Sequence, residues 1–206
     1  MDRSGFRYLI IFGLIALAGV ISKSMYGYIF SAISGLFFLF TAFFFRDPDR
    51  KIPDGKDNIV SPADGVIVDI SDVHDEDIGD CKNIAIFMSL FDVHINRAPL
   101  DGEVVDIKHF DGKFKKAFRP EASLENERVE MLMETSSGKI RVRQIAGIIA
   151  RRIICRAKIG DNLHRGQKYG IIHFGSRVEI ILPQSTKIFV SKGQKVIAGE
   201  TIIAKV

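Results

Sequence analysis

Cysteine is scarce in this 206-residue chain: only Cys81 and Cys155 occur. Their spacing matches no zinc framework, and two such residues make no disulfide scaffold. Two buried free thiols are expected, with a single pairing between them as the other option. Charge excess is also small. From Arg46 onward 26 basic residues stand against 24 acidic ones, and no basic stripe is interleaved with aromatics, which argues against nucleic acid as a partner. A hydrolase elbow of the type Gly-x-Ser-x-Gly is missing. The acidic stretch Asp72–Asp80 contains Asp72, His74, Asp75, Glu76, Asp77 and Asp80 but lacks the Asp-x-Asp-x-Asp-Gly order of a calcium loop, so it reads as a solvated loop. His109, His164 and His173 have no metal-like spacing.

What the chain does have begins with two apolar runs. Tyr8–Ile21 is 14 residues long and Met25–Phe45 is 21, without a charge in either. At helical rise the second reaches about 31 Å, enough to cross a hydrocarbon core, and the first only about 21 Å, so it is expected to dip in rather than cross. A signal peptide competes for the first run, with Arg3 and Arg7 as its basic start and Ala16-Leu17-Ala18 as a cleavage site. Arg3 and Arg7 precede the pair, Arg46, Arg50 and Lys51 follow it, and Lys23 alone lies between. The positive-inside rule then puts the main domain on the cytoplasmic face of the cell membrane under either reading.

Residues 1–45 are therefore read as a membrane-associated hydrophobic helical pair and residues 46–206 as one β-rich domain. Its short β-branched runs are punctuated by Gly, Pro and Asp: Val66–Ile70, Ile84–Met88, Val104–Phe110, Val129–Glu134, Ile140–Ile149, Arg151–Lys158 and Ile188–Val190. Glu121–Glu127 is the one stretch suited to a short helix or a loop excursion. The fold class is mostly β, of sandwich or barrel type. Two internal echoes refine this. Pro62-Ala63-Asp64-Gly65-Val66-Ile67-Val68-Asp69-Ile70 repeats as Pro99-Leu100-Asp101-Gly102-Glu103-Val104-Val105-Asp106-Ile107, an Asp-Gly turn leading into a strand. Gly160–Gly166 repeats as Gly193–Gly199, each Gly-x-x-[Leu/Val]-x-x-Gly. The pattern is similar to hammerhead domains of the lipoyl and biotinyl type and suggests a duplicated, pseudo-symmetric β unit. Neither Asp-Gly tip carries the lysine that a carrier domain needs.

Chemistry-bearing residues concentrate in two places. Asp92-Val93-His94-Ile95-Asn96-Arg97 follows directly on an apolar strand, where working groups tend to sit; alternatively His94 is a core histidine capped by Asp92. Gly175-Ser176 interrupts Tyr169–Pro183, which otherwise alternates as a strand. Locally that step reads as a bulge.

Taken in order along the chain, these segments identify a family. Phe45-Arg46-Asp47-Pro48, Ser61-Pro62-Ala63-Asp64-Gly65, Phe87–Pro99 with its Asp-Val-His-Ile-Asn-Arg core, Gly147-Ile148-Ile149-Ala150-Arg151-Arg152-Ile153 and Gly170–Val178 with its Phe-Gly-Ser-Arg centre resemble the short subfamily of the phosphatidylserine decarboxylases. The resemblance implies a proenzyme that cuts itself between Gly175 and Ser176 into a large chain 1–175 and a small chain 176–206, leaving a covalent pyruvoyl group at Ser176. It implies a carboxy-lyase of phospholipid biosynthesis that turns a serine phospholipid into its ethanolamine form with loss of CO2, the pyruvoyl ketone taking the amine as a Schiff base and acting as electron sink. No metal or diffusible cofactor is required. Ether-linked archaetidylserine is the alternative substrate, and a non-enzymatic membrane-anchored hammerhead adaptor the alternative class. A residue-by-residue carry-over gives Asp64 a part in self-processing and His94 one in decarboxylation. Longer relatives keep a second histidine where this chain has Arg97, so the base for Ser176 is either His94 or a group that Asp64 orients. Arg97 and Arg177 are expected either to bind the substrate phosphate or carboxylate or to hold structural carboxylates. The expected partners are the lipid, the membrane, the two chains of one precursor and a second copy of the protein.

Overall fold

The computed structural model describes residues 1–112, 126–147, 152–173 and 176–206. It forms two compact units, Met1–Asp49 and Arg50–Val206. The segment Glu121–Glu127 lies outside the described residues up to 125.

The first unit is a helical hairpin. A single 3-10 turn, Arg3–Gly5, leads into α1 (Phe6–Ile21), and α2 (Met25–Phe44) follows. Arg3–Ile21 and Met25–Phe44 are both long and apolar enough to cross a membrane. The first segment therefore exceeds the reach expected from its apolar run, because helix begins before that run does. Lys23 at the turn takes a left-handed φ of 49°, and Ser24 caps α2 by accepting from the Gly27 amide at 3.0 Å. The helices approach most closely where side chains vanish: a Cβ on Gly19 would stand 2.5 Å from the Gly27 carbonyl oxygen, and one on Gly27 equally close to that of Gly19. Ser31 and Ser34 donate to the Ala16 and Phe12 carbonyls at 2.8 and 2.7 Å. Small residues and cross-helix hydroxyls are what hold helices together where lipid offers no hydrophobic drive.

The second unit is mostly β. Its strands are β1 (Asn58–Val60), β2 (Gly65–Asp75), β3 (Gly79–Met88), β4 (Ile95–Arg97), β5 (Gly102–Phe110), β6 (Arg128–Thr135), β7 (Gly138–Ile145), β8 (Ile153–Cys155), β9 (Asn162–Leu163), β10 (Lys168–Ile172), β11 (Ser176–Pro183), β12 (Lys187–Ile188), β13 (Lys195–Val196) and β14 (Ile202–Lys205). Among the described residues eight form a curled antiparallel half-barrel in the order β13-β2-β3-β11-β7-β6-β5-β9, and two three-stranded sheets, β1-β14-β12 and β4-β10-β8, accompany it. One face of the large sheet is apolar: Ile84, Ile86 and Met88, Val178, Ile180 and Leu182, and Ile140 and Val142 join a single core cluster. Each such side chain contributes at most about 1.5–3 kcal/mol on burial.

The two sequence echoes occupy matched registers. β13 meets β2 with Lys195 opposite Val66 and Val196 opposite Gly65. In the same way β9 meets β5 with Asn162 opposite Glu103 and Leu163 opposite Gly102. A register shift falls between Ile67 and Asp69 in β2 and between Val104 and Asp106 in β5. Gly199 donates to the Ser61 carbonyl and Gly166 to that of Ala98, both at 2.8 Å. The centre is reciprocal, with Val60 N–H on Pro99 O and Arg97 N–H on Pro62 O, each 3.0 Å.

Two expectations need correction. Asp72–Asp80 is the end of the β2–β3 hairpin rather than a loop; Asp72, His74, Glu76, Asp77 and Asp80 are exposed as expected, but Asp75 is only 4% exposed. Its carboxylate has a distant partner that charge pattern alone does not reveal: Arg141 donates to it at 2.7 and 3.0 Å. The Gly175-Ser176 step, expected locally as a bulge, falls at the edge of the described residues; β10 before it and β11 after it belong to different sheets. The cysteines are both free, but only Cys81 is buried while Cys155 is half-buried.

Candidate active site

Ser176 opens β11 and is fully buried. Its Cα lies opposite Met88 at the end of β3, and its Oγ donates to the Met88 sulfur at 3.3 Å. Alternation sends Ser176 to the core face with Val178, and Arg177 to the other face. Gly175, the other half of the expected cleavage site, lies outside the described residues.

His94 precedes β4 and is 0% exposed. A tight turn places it there: Asp92 Oδ2 accepts from the Ser89 amide and hydroxyl at 2.8 and 2.7 Å. The carboxylate of Asp92 is thus spent on Ser89, and it is the Asp92 carbonyl that meets His94 Nδ1, at 2.9 Å. A carbonyl only accepts, so Nδ1 carries the proton and Nε2 is the basic nitrogen. The His94 carbonyl in turn accepts from Ile172 at 3.3 Å, tying the loop to β10.

Asp64 stands just before β2. Its carboxylate takes Arg50 Nη2 at 2.8 and 3.0 Å and the Ala198 amide at 2.8 Å. Val66, Phe87 and Arg177 form one cross-strand row, so Asp64 and Ser176 sit at the same end of the sheet, two strands or about 10 Å apart. Arg97 is 7% exposed and donates to the Gly166 carbonyl at 2.9 Å. Arg177 is 2% exposed and pairs with Glu179 at 2.8 Å. That pair begins a buried ion network on the outer face: Glu179 to Arg143 at 3.9 Å, Arg143 to Glu130 at 3.2 Å, Glu130 to Arg141 at 3.4 Å and Arg141 to Asp75. Burial is the largest single influence and opposes charge on both ends, yet the Arg141 hydrogen bond, the Asp77 amide and the charges of Arg141 and Arg143 together hold the Asp75 carboxyl below its usual value; Asp75, Asp77 and Glu130 together raise Arg141.

Residues 37–204 match the family described as phosphatidylserine decarboxylase. The chain is 44% identical over 196 residues to a phosphatidylserine decarboxylase proenzyme of Trichlorobacter lovleyi, covering 95% of this chain and 90% of that one. It is 42% identical over 209 residues to the protein of the same name from Carboxydothermus hydrogenoformans, covering 100% and 96%, and 47% identical over 167 residues to that of Geobacter sulfurreducens, covering 80% and 77%. The chain belongs to the phosphatidylserine decarboxylase family.

In this family member the fold brings Ser176 to the core face of the half-barrel, near the β4 strand that follows His94, and leaves Asp64 at the same sheet end. Arg177 is turned away from them. Sequence reading gave no role to three residues that do reach this end, Met88, Asn96 and Gln144. Asn96 Nδ2 points at the Met88 sulfur at 3.8 Å, and Gln144 Nε2 donates to Asn96 Oδ1 at 2.8 Å. Their signal was available in the strand patterns, since Gln144 breaks the apolar run Ile140-Val142-Gln144 on a face that is otherwise hydrocarbon. Nothing in sequence reveals that the three line up in series behind one serine.

Proposed function

We propose that this chain is a phosphatidylserine decarboxylase proenzyme that cuts itself between Gly175 and Ser176. The observation that carries the reading is the place of Ser176: a buried hydroxyl on the first residue of β11, where the chain passes from one sheet to another. Ser176 Oγ attacks the Gly175 carbonyl carbon, the Gly175–Ser176 C–N bond breaks, and the Oγ proton passes through a base to the released nitrogen. Loss of the Ser176 α-proton then expels the Gly175 carboxylate, and water releases ammonia to leave the pyruvoyl group. His94 Nε2 is the base that suits both this step and proton handling at the substrate. Asp64 holds Arg50 and the Ala198 turn in place.

The residues fit such a group. Ser176 is buried on the apolar core face, and among the described residues the thioether of Met88 faces its Oγ. The group supplies an electron sink for decarboxylation. Of the two arginines, Arg97 is the better cation for the substrate phosphate or carboxylate, since Arg177 faces Glu179 on the opposite side of β11. Cleavage does not separate the chains: β11 of the small chain lies between β3 and β7 of the large one.

The matched registers of β2 with β13 and β5 with β9 support a duplicated hammerhead-like unit. Two membrane-length helices flanked by cations support an anchored enzyme with its catalytic domain on the cytoplasmic face. Intact-mass measurement with a denaturing gel tests the whole reading. Two chains are expected, the smaller blocked at its amino terminus, with one uncut and inactive chain for Ser176→Ala. An active uncut chain defeats it.

A further inference from the structure

Ser176, Asn96 and Gln144 are 0, 0 and 1% exposed, a group of buried polar side chains at one end of the apolar face of the half-barrel. They form a single directed chain. The Met88 sulfur has no hydrogen, so it only accepts, here from both Ser176 Oγ and Asn96 Nδ2. Asn96 must therefore turn Nδ2 to the sulfur and Oδ1 to Gln144, and Gln144 must answer with Nε2. Reversing either amide sets acceptor against acceptor. Among the described residues Gln144 Oε1 then has no donor, a cost that packing alone does not repay. Gly170 makes the room: a Cβ there would stand 2.7 Å from Gln144 Nε2 and 2.6 Å from the Ile154 carbonyl oxygen.

We propose that Asn96 and Gln144 are positioning residues for self-cleavage, acting through Met88 on the Ser176 hydroxyl; the inference rests on Ser176 being the self-cleaving nucleophile. The pair fixes the thioether so that the Ser176 proton is held by sulfur, a weak acceptor, while the oxygen lone pairs stay available for attack. Met88 takes no proton in the reaction. Once the cut is made, the pair has no further hydroxyl to aim.

The test follows cutting of the full-length chain after synthesis in membranes. Gln144→Leu, near in volume, is expected to slow cutting by on the order of tenfold to a hundredfold with thermal unfolding little changed. Because the block precedes the ester, hydroxylamine should not release the fragments; their release would place the block later and overturn the proposal. Gln144→Glu supplies a readout that a packing role does not move. Its protonated carboxyl can donate to Asn96 Oδ1 and its ionised form cannot, and burial raises its pKa. Relative to wild type, its cutting should be fast near about pH 5.5 and slow near about pH 8. Wild-type rates for both variants at every pH overturn the proposal while leaving Ser176 in its role. A cut Ser176→Ala chain overturns the nucleophile itself.

Discussion

Gly65 faces the carbonyl oxygen of Phe87 so closely that a Cβ there would stand 2.2 Å from it, and its φ of +154° suits only glycine. Gly102 holds the equivalent place in β5, where a Cβ would stand 2.6 Å from the Glu134 carbonyl oxygen. Alanine at either site should cost about 1–3 kcal/mol or more in a urea melt. The two should differ in processing. Gly65 adjoins Asp64 at the Ser176 end of the sheet, so Gly65→Ala is expected to lower the cut fraction. Gly102→Ala is expected to weaken the fold and still be cut.

That comparison also marks what was legible in the sequence. Asp64-Gly65 and Asp101-Gly102 announced themselves because turn chemistry is local, and so did the β-branched runs after them. The helical pair was legible from apolar length alone, although Arg3–Ile21 gained a turn that hydropathy did not count. Asp75 was misread because its partner Arg141 lies 66 positions away, and a carboxylate in an acidic run looks solvated until that partner arrives. The Gly175-Ser176 step reads locally as a bulge, and that β10 and β11 on either side of it join different sheets was not legible. Whether an interruption is a bulge or a change of sheet depends on which strands pair with each side. Ser176 itself came from family resemblance, and the Met88–Asn96–Gln144 chain needed the registers of β3, β4 and β7 at once.

Asp75 and Arg141 give a stability prediction. Their side chains are 3 and 5% exposed. Asp75→Asn leaves Arg141 without its main counter-charge and should cost about 3–5 kcal/mol near neutral pH. The native Asp75 carboxyl lies below the ordinary 3.8, so its contribution is complete above that value and is lost as pH falls through the lower folded value. Urea melts from neutral to acid pH should show wild-type stability falling in that window. The corresponding loss should be missing from Asp75→Asn.

Gly19 and Gly27 predict a separable defect. Leucine at Gly27 cannot fit against the Gly19 carbonyl and should part α1 from α2. A cysteine pair placed across the two helices should then crosslink poorly compared with the parent chain. The β unit carries its own core and the proposed cut site, so Gly27→Leu should still yield two chains.

The test between the two bases left open by Arg97 is substitution of His94. Its Nδ1 is bound to the Asp92 carbonyl, which makes Nε2 the basic atom. The Asp64 carboxylate accepts from Arg50 and Ala198, and an arginine such as Arg97 is a cation rather than a base. His94→Ala is therefore expected to stay largely uncut. Any fraction that does mature should release CO2 more slowly by on the order of 10²–10⁴-fold. Asp64→Asn keeps the acceptor for Ala198 but loses the charge facing Arg50, so it should slow cutting less than His94→Ala. Gel densitometry after synthesis and CO2 release per mature chain measure the two steps separately. A His94→Ala chain that is cut at the wild-type rate would assign the Ser176 proton to another group and restrict His94 to the substrate.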